Sequence, residues 1–333
     1  MKSWGWWGAL FLMLGSARAQ DVWETVPLAA RPSLSVEGRV GEESFRSGAV
    51  VALQGATVRL RLVGHPANGE TRWFQIVPET ARFYKNANHP WEADPYAWVG
   101  FGKIDYRMVE ILSWRGRTEV EVRPAEDFRQ ASRSPYYHPD LGSFWFQAQV
   151  LADGLRLRSA GLEENGERNL SPAVFRLSIQ TDEGYLGCLS GFFNVPGLFG
   201  SVPSQSYHYV GVDCADVLVA AHRRWKRLGA GRDANVSMLA QEWTRIAEFP
   251  VVGGVPKRAV RWGREVKPGD AIAVRYTPGK AFQHIGALAA DRNGNGWLDA
   301  ADEIIHAGPH ALHRTHLREG GFDGEVVILR PPQ

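Results

Sequence analysis

The stretch "YVGVDCADVLVAAHRRW", residues 209–225, decides how the second half of the chain begins to fold. Asp213 is a favourable N-cap residue, and Asp216 stands three positions later, where a carboxylate can complete a capping-box-like pair. Apolar residues then recur at helical spacing, and basic residues crowd the last turns before Gly229. The pattern predicts a helix of about four turns that begins at Cys214.

Three interpretations of Cys214 are open: half of a disulfide, a buried small residue or a nucleophile. The chain has 2 cysteines, so Cys188 is the available bridge partner. The position itself suits a nucleophile, because the unpaired N–H groups and the positive dipole end of a helix N-terminus favour a thiolate over a thiol. The same N–H groups can stabilise an oxyanion that forms beside the sulfur.

Residues 1–19 have the composition of a cleaved signal peptide. Lys2 is followed by a short apolar run, and Ala17 and Ala19 give the A-x-A pattern of a cleavage site, so we expect the mature chain to start near Gln20. No later segment approaches ~20 apolar residues, so we expect a secreted or periplasmic protein with no membrane span in the mature chain. The net charge of +2, without a long basic run, argues against nucleic acid as a partner.

Two domains are expected, with a boundary near residue 180. Between residues 20 and 180, short runs rich in β-branched and aromatic residues alternate with Gly, Pro, Asn and Asp clusters, which predicts an antiparallel all-β sandwich or barrel. Between residues 181 and 333, the Cys214 helix and an amphipathic segment at residues 236–248 precede several strand-like runs. Helices followed by strands indicate an α+β domain, in which a helix packs on an antiparallel sheet.

Two histidines are candidates for the partners that a nucleophilic cysteine needs. Such a cysteine requires a base, and the base requires a group that orients it. His284 begins the run "HIGALAA", and His306 lies in the next run, "EIIHAG". Neighbouring antiparallel strands would bring the two imidazoles together, with the N-terminus of the Cys214 helix packed across them.

Four short motifs follow one another along the C-terminal half: "VGVDCADVLVAA", "VKPGDAIAV", "HIGALAA" and "EIIHAG". In this order they resemble the motifs of the NlpC-type cell-wall cysteine peptidases, a papain-like superfamily, and the resemblance covers residues 207–330. It implies a papain-like α+β domain in which Cys214 is the nucleophile, His284 the base and His306 the group that orients the base. It also implies a hydrolase that cleaves amide bonds in peptidoglycan stem peptides through a thioester.

The resemblance also suggests residues that contact the substrate, and it contains one departure. A tyrosine before the cysteine often lines the site in relatives, which makes Tyr207 and Tyr209 candidates. The Ser-Gly that follows the cysteine in the family is Ala215-Asp216 here, which places a carboxylate one turn from the sulfur. Asp216 either caps the helix or shapes a subsite for a cationic or amide group.

The segment "DRNGNGWLDAAD", residues 291–302, follows the spacing of a twelve-position calcium loop. Gly296 occupies the sixth position, where a sharp turn requires glycine. A hard cation needs several oxygens from one short loop, so we expect a structural calcium ion here; the alternative is a plain polar Asn-Gly turn. The expected ligands are Asp291, Asn293, Asn295, the carbonyl of Trp297, Asp299 and Asp302.

Two other functions fit the same sequence. One is a related amidase or acyltransferase that uses the same thioester chemistry on a substrate other than peptidoglycan. The other is a non-catalytic, calcium-stabilised envelope-binding protein in which Cys188 and Cys214 are bridged.

Three further histidines follow the second motif strand. His310, His313 and His316 have spacings that would suit a transition metal on a helix. Pro309 and the strand-like runs on both sides favour an exposed loop instead.

Overall fold

The computed structural model describes residues 22–80, 104–163, 170–308 and 310–333. Residues 1–19, the expected signal peptide, lie outside this part. The described chain is mostly β, with three sheets and several short helices. No helix within these ranges is long and apolar enough to cross a membrane.

Two sheets form the N-terminal half of the described chain. Their strands are β1 (Ser35–Val40), β2 (Arg46–Ser47), β3 (Ala49–Leu53), β4 (Val58–Val63), β5 (Glu70–Glu79), β6 (Asp105–Glu110), β7 (Glu119–Glu121), β8 (Gly142–Ala152), β9 (Leu155–Arg158) and β10 (Phe175–Gln180). The first sheet has the order β2-β1-β4-β7, and the second has the order β3-β10-β8-β5-β6 with β9 paired to β8. The helical pieces are α1 (Val22–Thr25), α2 (Pro124–Asp127) and a 3-10 turn (Leu112–Trp114).

The two N-terminal sheets pack against each other around a shared apolar interior, as the alternating sequence pattern predicts. β4 buries Val58, Leu60 and Leu62 and turns the residues between them outwards. Gly38 in β1 marks a close approach, because a Cβ there would lie 2.4 Å from Cζ of Phe175 in β10. One pairing differs from the antiparallel expectation: β3 runs parallel to β10, a strand far away in sequence that needs no tight hairpin to reach it.

The C-terminal half begins with four helices and continues in one sheet. The helices are α3 (Tyr185–Ser190), α4 (Pro203–Tyr207), α5 (Cys214–Trp225) and α6 (Val236–Glu242). The strands are β11 (Thr244–Val252), β12 (Val255–Pro256), β13 (Ala271–Arg275), β14 (His284–Ala290), β15 (Glu303–His306), β16 (His313–His316) and β17 (Gly324–Arg330). Their order is β12-β11-β17-β13-β14-β15-β16, and the neighbouring pairs are antiparallel, as predicted.

The central strands of this sheet are buried on both faces. In β13, Ala271 and Ala273 face the core that includes α5, whereas Ile272 and Val274 face a second apolar cluster on the other side. Alternate residues of a strand point to opposite faces, so each face receives its own set of side chains. α5 lies on the first face, in contact with β14.

The predicted helix at residues 236–248 is wrong at its C-terminal end. α6 ends before Trp243, whose backbone is extended with φ −80° and ψ 150°. Ile246, which the helical pattern places on an apolar helix face, lies in β11 and is the residue without a partner at the β-bulge in the pairing with β17. The buried positions Ala247, Phe249 and Val251 recur every second residue, and this strand period prevails once β17 is available as a partner.

The two halves share one hydrophobic core. Buried side chains from β1 to β17 form a contiguous cluster that crosses the expected boundary near residue 180. The Ser143 N–H in β8 donates to the Phe193 carbonyl at 2.9 Å, and the Ser143 hydroxyl donates to the Gly191 carbonyl at 2.8 Å. The Asn194 side chain accepts the His138 N–H at 2.8 Å. The β half is therefore bonded directly to the segment that leads into α5.

Candidate active site

Cys214 is the first residue of α5, as predicted, and Asp213 is the N-cap. The Asp213 carboxylate accepts hydrogen bonds from the N–H groups of Ala215 at 3.0 Å and Asp216 at 2.8 Å. The reciprocal bond of a capping box is made through Ser201, whose hydroxyl accepts the Asp213 N–H at 2.9 Å and donates to Asp216 Oδ2 at 2.9 Å. The start of the helix is therefore held by two carboxylates and one hydroxyl.

Cys214 is held as a thiol in this conformation. Burial raises the pKa of the Cys214 thiol above its ordinary value, and the Asp213 carboxylate raises it further. A hydrogen bond from the N–H of Ile285 in β14 acts in the opposite direction but does not prevail. The N–H groups of Ala215 and Cys214 at the helix N-terminus also favour the thiolate, but burial outweighs them.

His284 and His306 form a hydrogen-bonded pair. They are the first residue of β14 and the last of β15, and the distance from His284 Nε2 to His306 Nδ1 is 2.8 Å. The two residues are only 9% and 5% exposed. Burial lowers the pKa of His284 to about 4 and also lowers the pKa of His306. Both rings are therefore neutral at neutral pH.

Cys214 and His284 line one narrow crevice. Because His284 uses Nε2 to meet His306, Nδ1 is the nitrogen that remains for the sulfur. Phe322 packs against both imidazoles, with ring centroids 5.0 Å from His284 and 5.5 Å from His306. The other lining residues are Gly197, Leu198, Phe199, Val212, Asp213, Gln283, Ala307 and Gly308.

One N–H group at the start of α5 remains for an oxyanion. The N–H groups of the next three residues all donate to Asp213, two to its carboxylate and the third to its carbonyl at 3.2 Å. Among the described residues of the first turn, the N–H of Cys214 is therefore the donor that remains available to an oxyanion. Gln283 adds an amide to the crevice wall, and its Oε1 accepts the Tyr276 N–H at 3.3 Å.

Tyr207 and Tyr209 are not among the described residues that line the crevice. Tyr209 is fully buried and stacks on Phe192 at 4.4 Å between centroids, with the Arg176 guanidinium 3.7 Å from its ring centroid. The Tyr207 carbonyl accepts a hydrogen bond from Arg224, whose guanidinium lies 4.9 Å from the Tyr207 ring centroid. The structure thus places both tyrosines against arginines and not beside the sulfur.

Asp216 also lies outside the crevice lining and is 3% exposed. Burial raises its pKa to about 7, and the charge of Asp213 adds to the rise. Its carboxylate accepts the Ser201 hydroxyl. Of the two roles considered for Asp216, this geometry matches the cap.

Cys188 and Cys214 are both free thiols. Cys188 lies in α3, where burial raises its pKa. The bridged, non-catalytic alternative therefore does not match the structure, because it requires a bond between these two sulfurs.

The loop between β14 and β15 is a tightly hydrogen-bonded turn. Asp291 accepts the Gly296 N–H at 2.7 Å, and Asn293 and Asn295 each accept the N–H of the residue two positions on. Asp299 Oδ2 receives the side-chain amides of Asn293 at 2.9 Å and Asn295 at 2.6 Å. Three of the expected calcium ligands therefore meet at one point.

Asp302 is oriented differently from the other expected ligands. It is fully buried and accepts the Trp262 indole N–H at 2.7 Å, the Asp299 N–H at 2.9 Å and the Arg292 N–H at 3.2 Å. These bonds attach the end of the loop to the protein interior. In this conformation the carboxylate of Asp302 stabilises the fold through hydrogen bonds.

Trp297 forms an isolated bridge with Arg261, whose guanidinium lies 4.3 Å from the indole centroid. Across the described ranges, no group of three or more His, Cys, Asp or Glu side chains is arranged to hold a metal ion. A calcium ion in this loop would therefore depend on amide and carbonyl oxygens in addition to Asp291 and Asp299.

The expectation of an exposed loop at His310, His313 and His316 is wrong for His313 and His316, which begin and end strand β16. His313 pairs with His306 of β15, and their ring centroids are 4.4 Å apart. His310 stacks on Tyr136 of the N-terminal half at 4.5 Å and 17°. The strand was not foreseen because its sequence, HRTH, lacks the apolar alternation that marks a strand.

Part of the crevice wall could not be foreseen from the sequence motifs. Gln283 precedes a motif histidine but belongs to no motif, and residues 197–199 come from a connector without any chemical signature. Only folding brings these segments beside Cys214. A comparison with known proteins found no matching family model, no matching curated protein and no matching solved structure.

Proposed function

We propose that the chain is a secreted or periplasmic cysteine hydrolase of the NlpC type that cleaves amide bonds in peptidoglycan stem peptides. One observation carries the proposal: Cys214 begins a helix in the same crevice as His284, whose other ring nitrogen is bonded to His306. Nucleophile, base and orienting group are the parts that thiol catalysis needs. A helix packed on an antiparallel sheet supports the papain-like assignment. The choice of peptidoglycan rests on the resemblance of the four sequence motifs.

The proposed reaction starts from a neutral pair. His284 Nδ1 takes the proton of Cys214 as the sulfur attacks the carbonyl carbon of the amide, and the carbonyl electron pair moves onto oxygen. The N–H of Cys214 donates to this oxyanion. The bond from His284 Nε2 to His306 stabilises the imidazolium that forms.

Two further steps complete the turnover. The tetrahedral intermediate expels the amine, which takes the proton from His284 Nδ1, and a thioester remains on Cys214. Water then attacks the thioester carbon and gives a proton to Nδ1; the C–S bond breaks and the proton returns to sulfur. The products are an amine and a carboxylic acid, and both enzyme groups are neutral again.

A calcium ion in the loop at residues 291–302 belongs to the same proposal. The residues that would hold it are Asp291, Asn293, Asn295, the carbonyl of Trp297 and Asp299. Asp302 would join them only after releasing Trp262. Burial alone would raise the pKa of Asp299, but hydrogen bonds from two asparagine amides and a backbone N–H outweigh it and lower that pKa, which keeps a charge for a cation. The ion would stiffen the turn between the strands that carry the two histidines.

The test of this function is the release of fragments from purified peptidoglycan, followed by mass spectrometry and by an assay for new amino groups. We expect release by the wild type and by Cys188→Ala, and none by Cys214→Ala. Equal release by Cys214→Ala would refute the role of the thiol. Intact peptidoglycan, together with acylation of Cys214 by other amides or esters, would favour the related amidase or acyltransferase.

A further inference from the structure

The second ring nitrogen of His306 is a buried polar atom without a hydrogen bond. His306 is 5% exposed, and its Nε2 makes no hydrogen bond to any described residue, although Nδ1 is bonded to His284. An unsatisfied buried nitrogen is uncommon and calls for an explanation. Three rings pack around His306, and that of His313 is the nearest, at 4.4 Å between centroids and an interplanar angle of 51°.

The protons of these three imidazoles can be assigned from their partners. His284 must offer a lone pair at Nδ1 to remove the thiol proton, so its Nε2 carries hydrogen and donates to His306 Nδ1. His306 therefore carries its hydrogen on Nε2. His313 Nδ1 lies 2.9 Å from the Ala311 carbonyl, which can only accept, so His313 is protonated at Nδ1 and has its lone pair at Nε2. A donor on His306 and an acceptor on His313 thus belong to rings in contact.

We propose that His313 is a positioning residue that acts through His306 on the base His284. The inference rests on the proposed function, and it adds a fourth residue to the row Cys214, His284 and His306. When His284 gains the thiol proton, its positive charge strengthens the bond to His306 and polarises the N–H on the far side of that ring. In this proposal, the Nε2 lone pair of His313 then accepts a hydrogen bond from this N–H, a bond that is not formed in the resting structure.

The N-terminal half holds the outer end of this row. The Tyr136 ring lies 4.8 Å from that of His313 and stacks on His310 at 4.5 Å and 17°. Tyr136 belongs to the segment that leads into β8, whereas both histidines follow β15. The orientation of His313 therefore depends on packing between the two halves of the chain.

The charged and titratable groups around His313 leave it neutral. Burial lowers the pKa of His313, and the bond to the Ala311 carbonyl only partly opposes this. Arg314, next in β16, is paired with Glu303 at 3.5 Å. The other groups that face His313 or interact with it are His284, His306, His310, Tyr136 and His138, with Asp140 acting on His138.

The test measures alkylation of Cys214 by iodoacetamide between about pH 4 and pH 9, followed by mass spectrometry of the Cys214 peptide. This rate reports proton transfer from sulfur to His284 and needs no peptidoglycan. His313→Phe keeps a ring but removes both nitrogens, and we expect it to lower the rate at neutral pH about tenfold. His313→Gln, whose amide reaches the position of Nε2, should restore most of the rate. His313→Asn, whose amide reaches only Nδ1, should not.

Two controls separate this inference from the proposed function. His65→Phe replaces a histidine in the loop between β4 and β5 and should alkylate like the wild type. His284→Ala shows whether Cys214 has a base at all: a rate equal to that of the wild type would remove both the proposed function and the role of His313. A slow His284→Ala with all three His313 variants within twofold of the wild type would overturn the inference alone. If His313→Phe does not fold, the alkylation rates of His313→Gln and His313→Asn still test the inference, because only a role for Nε2 makes these two rates differ.

Discussion

His284 and His306 stand on neighbouring strands, and their 2.8 Å bond between Nε2 and Nδ1 leaves one nitrogen of His284 for Cys214. His306→Asn keeps an acceptor near the position of Nδ1, whereas His306→Leu removes it. We expect kcat for amide cleavage to fall about tenfold in the Asn variant and about 10³-fold in the Leu variant, with KM little changed, because the bond acts on the charged form of His284. Steady-state kinetics on a released stem peptide would measure both.

The matched control for the Leu variant is His65→Leu, which changes a histidine outside the crevice lining. Equal losses of kcat in His306→Asn and His306→Leu would contradict an orienting hydrogen bond. They would point to packing of the imidazole on Phe322 instead.

The pH profile should reflect the burial of His284. Burial lowers the pKa of His284 to about 4, so the base stays neutral well below the ordinary value of 6.5. We therefore expect the acid limb of kcat/KM near pH 4 and nearly full activity at about pH 5.5. The low pKa of His284 should also make the fold less stable in acid. The unfolded chain takes up the His284 proton at a higher pH than the folded chain does, so the free energy of unfolding falls as the pH drops from 6.5 towards 4. An acid limb at the ordinary histidine pKa would show that the base is solvated in the working enzyme.

Asp216 should have the opposite effect on stability. Burial raises its pKa to about 7 from 3.8, so its protonated form suits the folded state, and the stability this gives is complete below 3.8 and lost as the pH rises through about 7. Asp216→Asn removes the charge and keeps an acceptor for the Ser201 hydroxyl. Between about pH 4 and pH 8 we expect the wild type to lose about 2–4 kcal/mol of unfolding free energy relative to the variant.

Denaturant unfolding at both pH values would measure this difference, with Asp153→Asn in the turn between β8 and β9 as the control. A pH-independent difference between wild type and Asp216→Asn would mean that the carboxylate is hydrated in solution.

Local signals explain why the start of the candidate site could be predicted. The N-cap Asp213 and the helical period fix the position of Cys214, and the two histidine runs are apolar enough to be read as strands. The end of α5 was less predictable: the helix stops at Trp225, and Arg227, with φ 56°, takes the left-handed position that the pattern assigns to a glycine.

Long-range packing explains what the sequence does not reveal. A Cβ at Gly197 would lie 2.3 Å from the carbonyl oxygen of His310, so the connector and the segment after β15 touch backbone to backbone beside the crevice. Neither segment carries a pattern that names the other as its partner. The position of His313 beside His306 likewise depends on the pairing of β16 with β15. The sequence of β16 is entirely polar and gives no sign of a strand.

Calcium should stabilise the loop at residues 291–302 through its other ligands and without Asp302. We expect millimolar calcium to raise the melting temperature of the wild type relative to chelator, and Asp299→Ala to abolish that difference. Asp302→Asn should melt lower in both conditions, because it weakens the bond to the Trp262 indole, but it should retain the shift caused by calcium. Identical wild-type melts with calcium and with chelator would show that the loop is a plain hydrogen-bonded turn.

Asn194 should stabilise the junction between the two halves more than its small size suggests. Its backbone is left-handed with φ 68°, and its side chain bonds to the N–H and carbonyl of His138 and to the carbonyl of Leu141. Asn194→Ala leaves these groups unpaired and places a Cβ without a hydrogen-bonding side chain in a strained conformation, so we expect a loss of about 2–4 kcal/mol of unfolding free energy. Asn194→Gly removes the same bonds but relieves the backbone strain, so it should lose less than the Ala variant. If the halves unfold separately, both variants should shift only one of two denaturation steps; a single shifted transition is expected from the shared core.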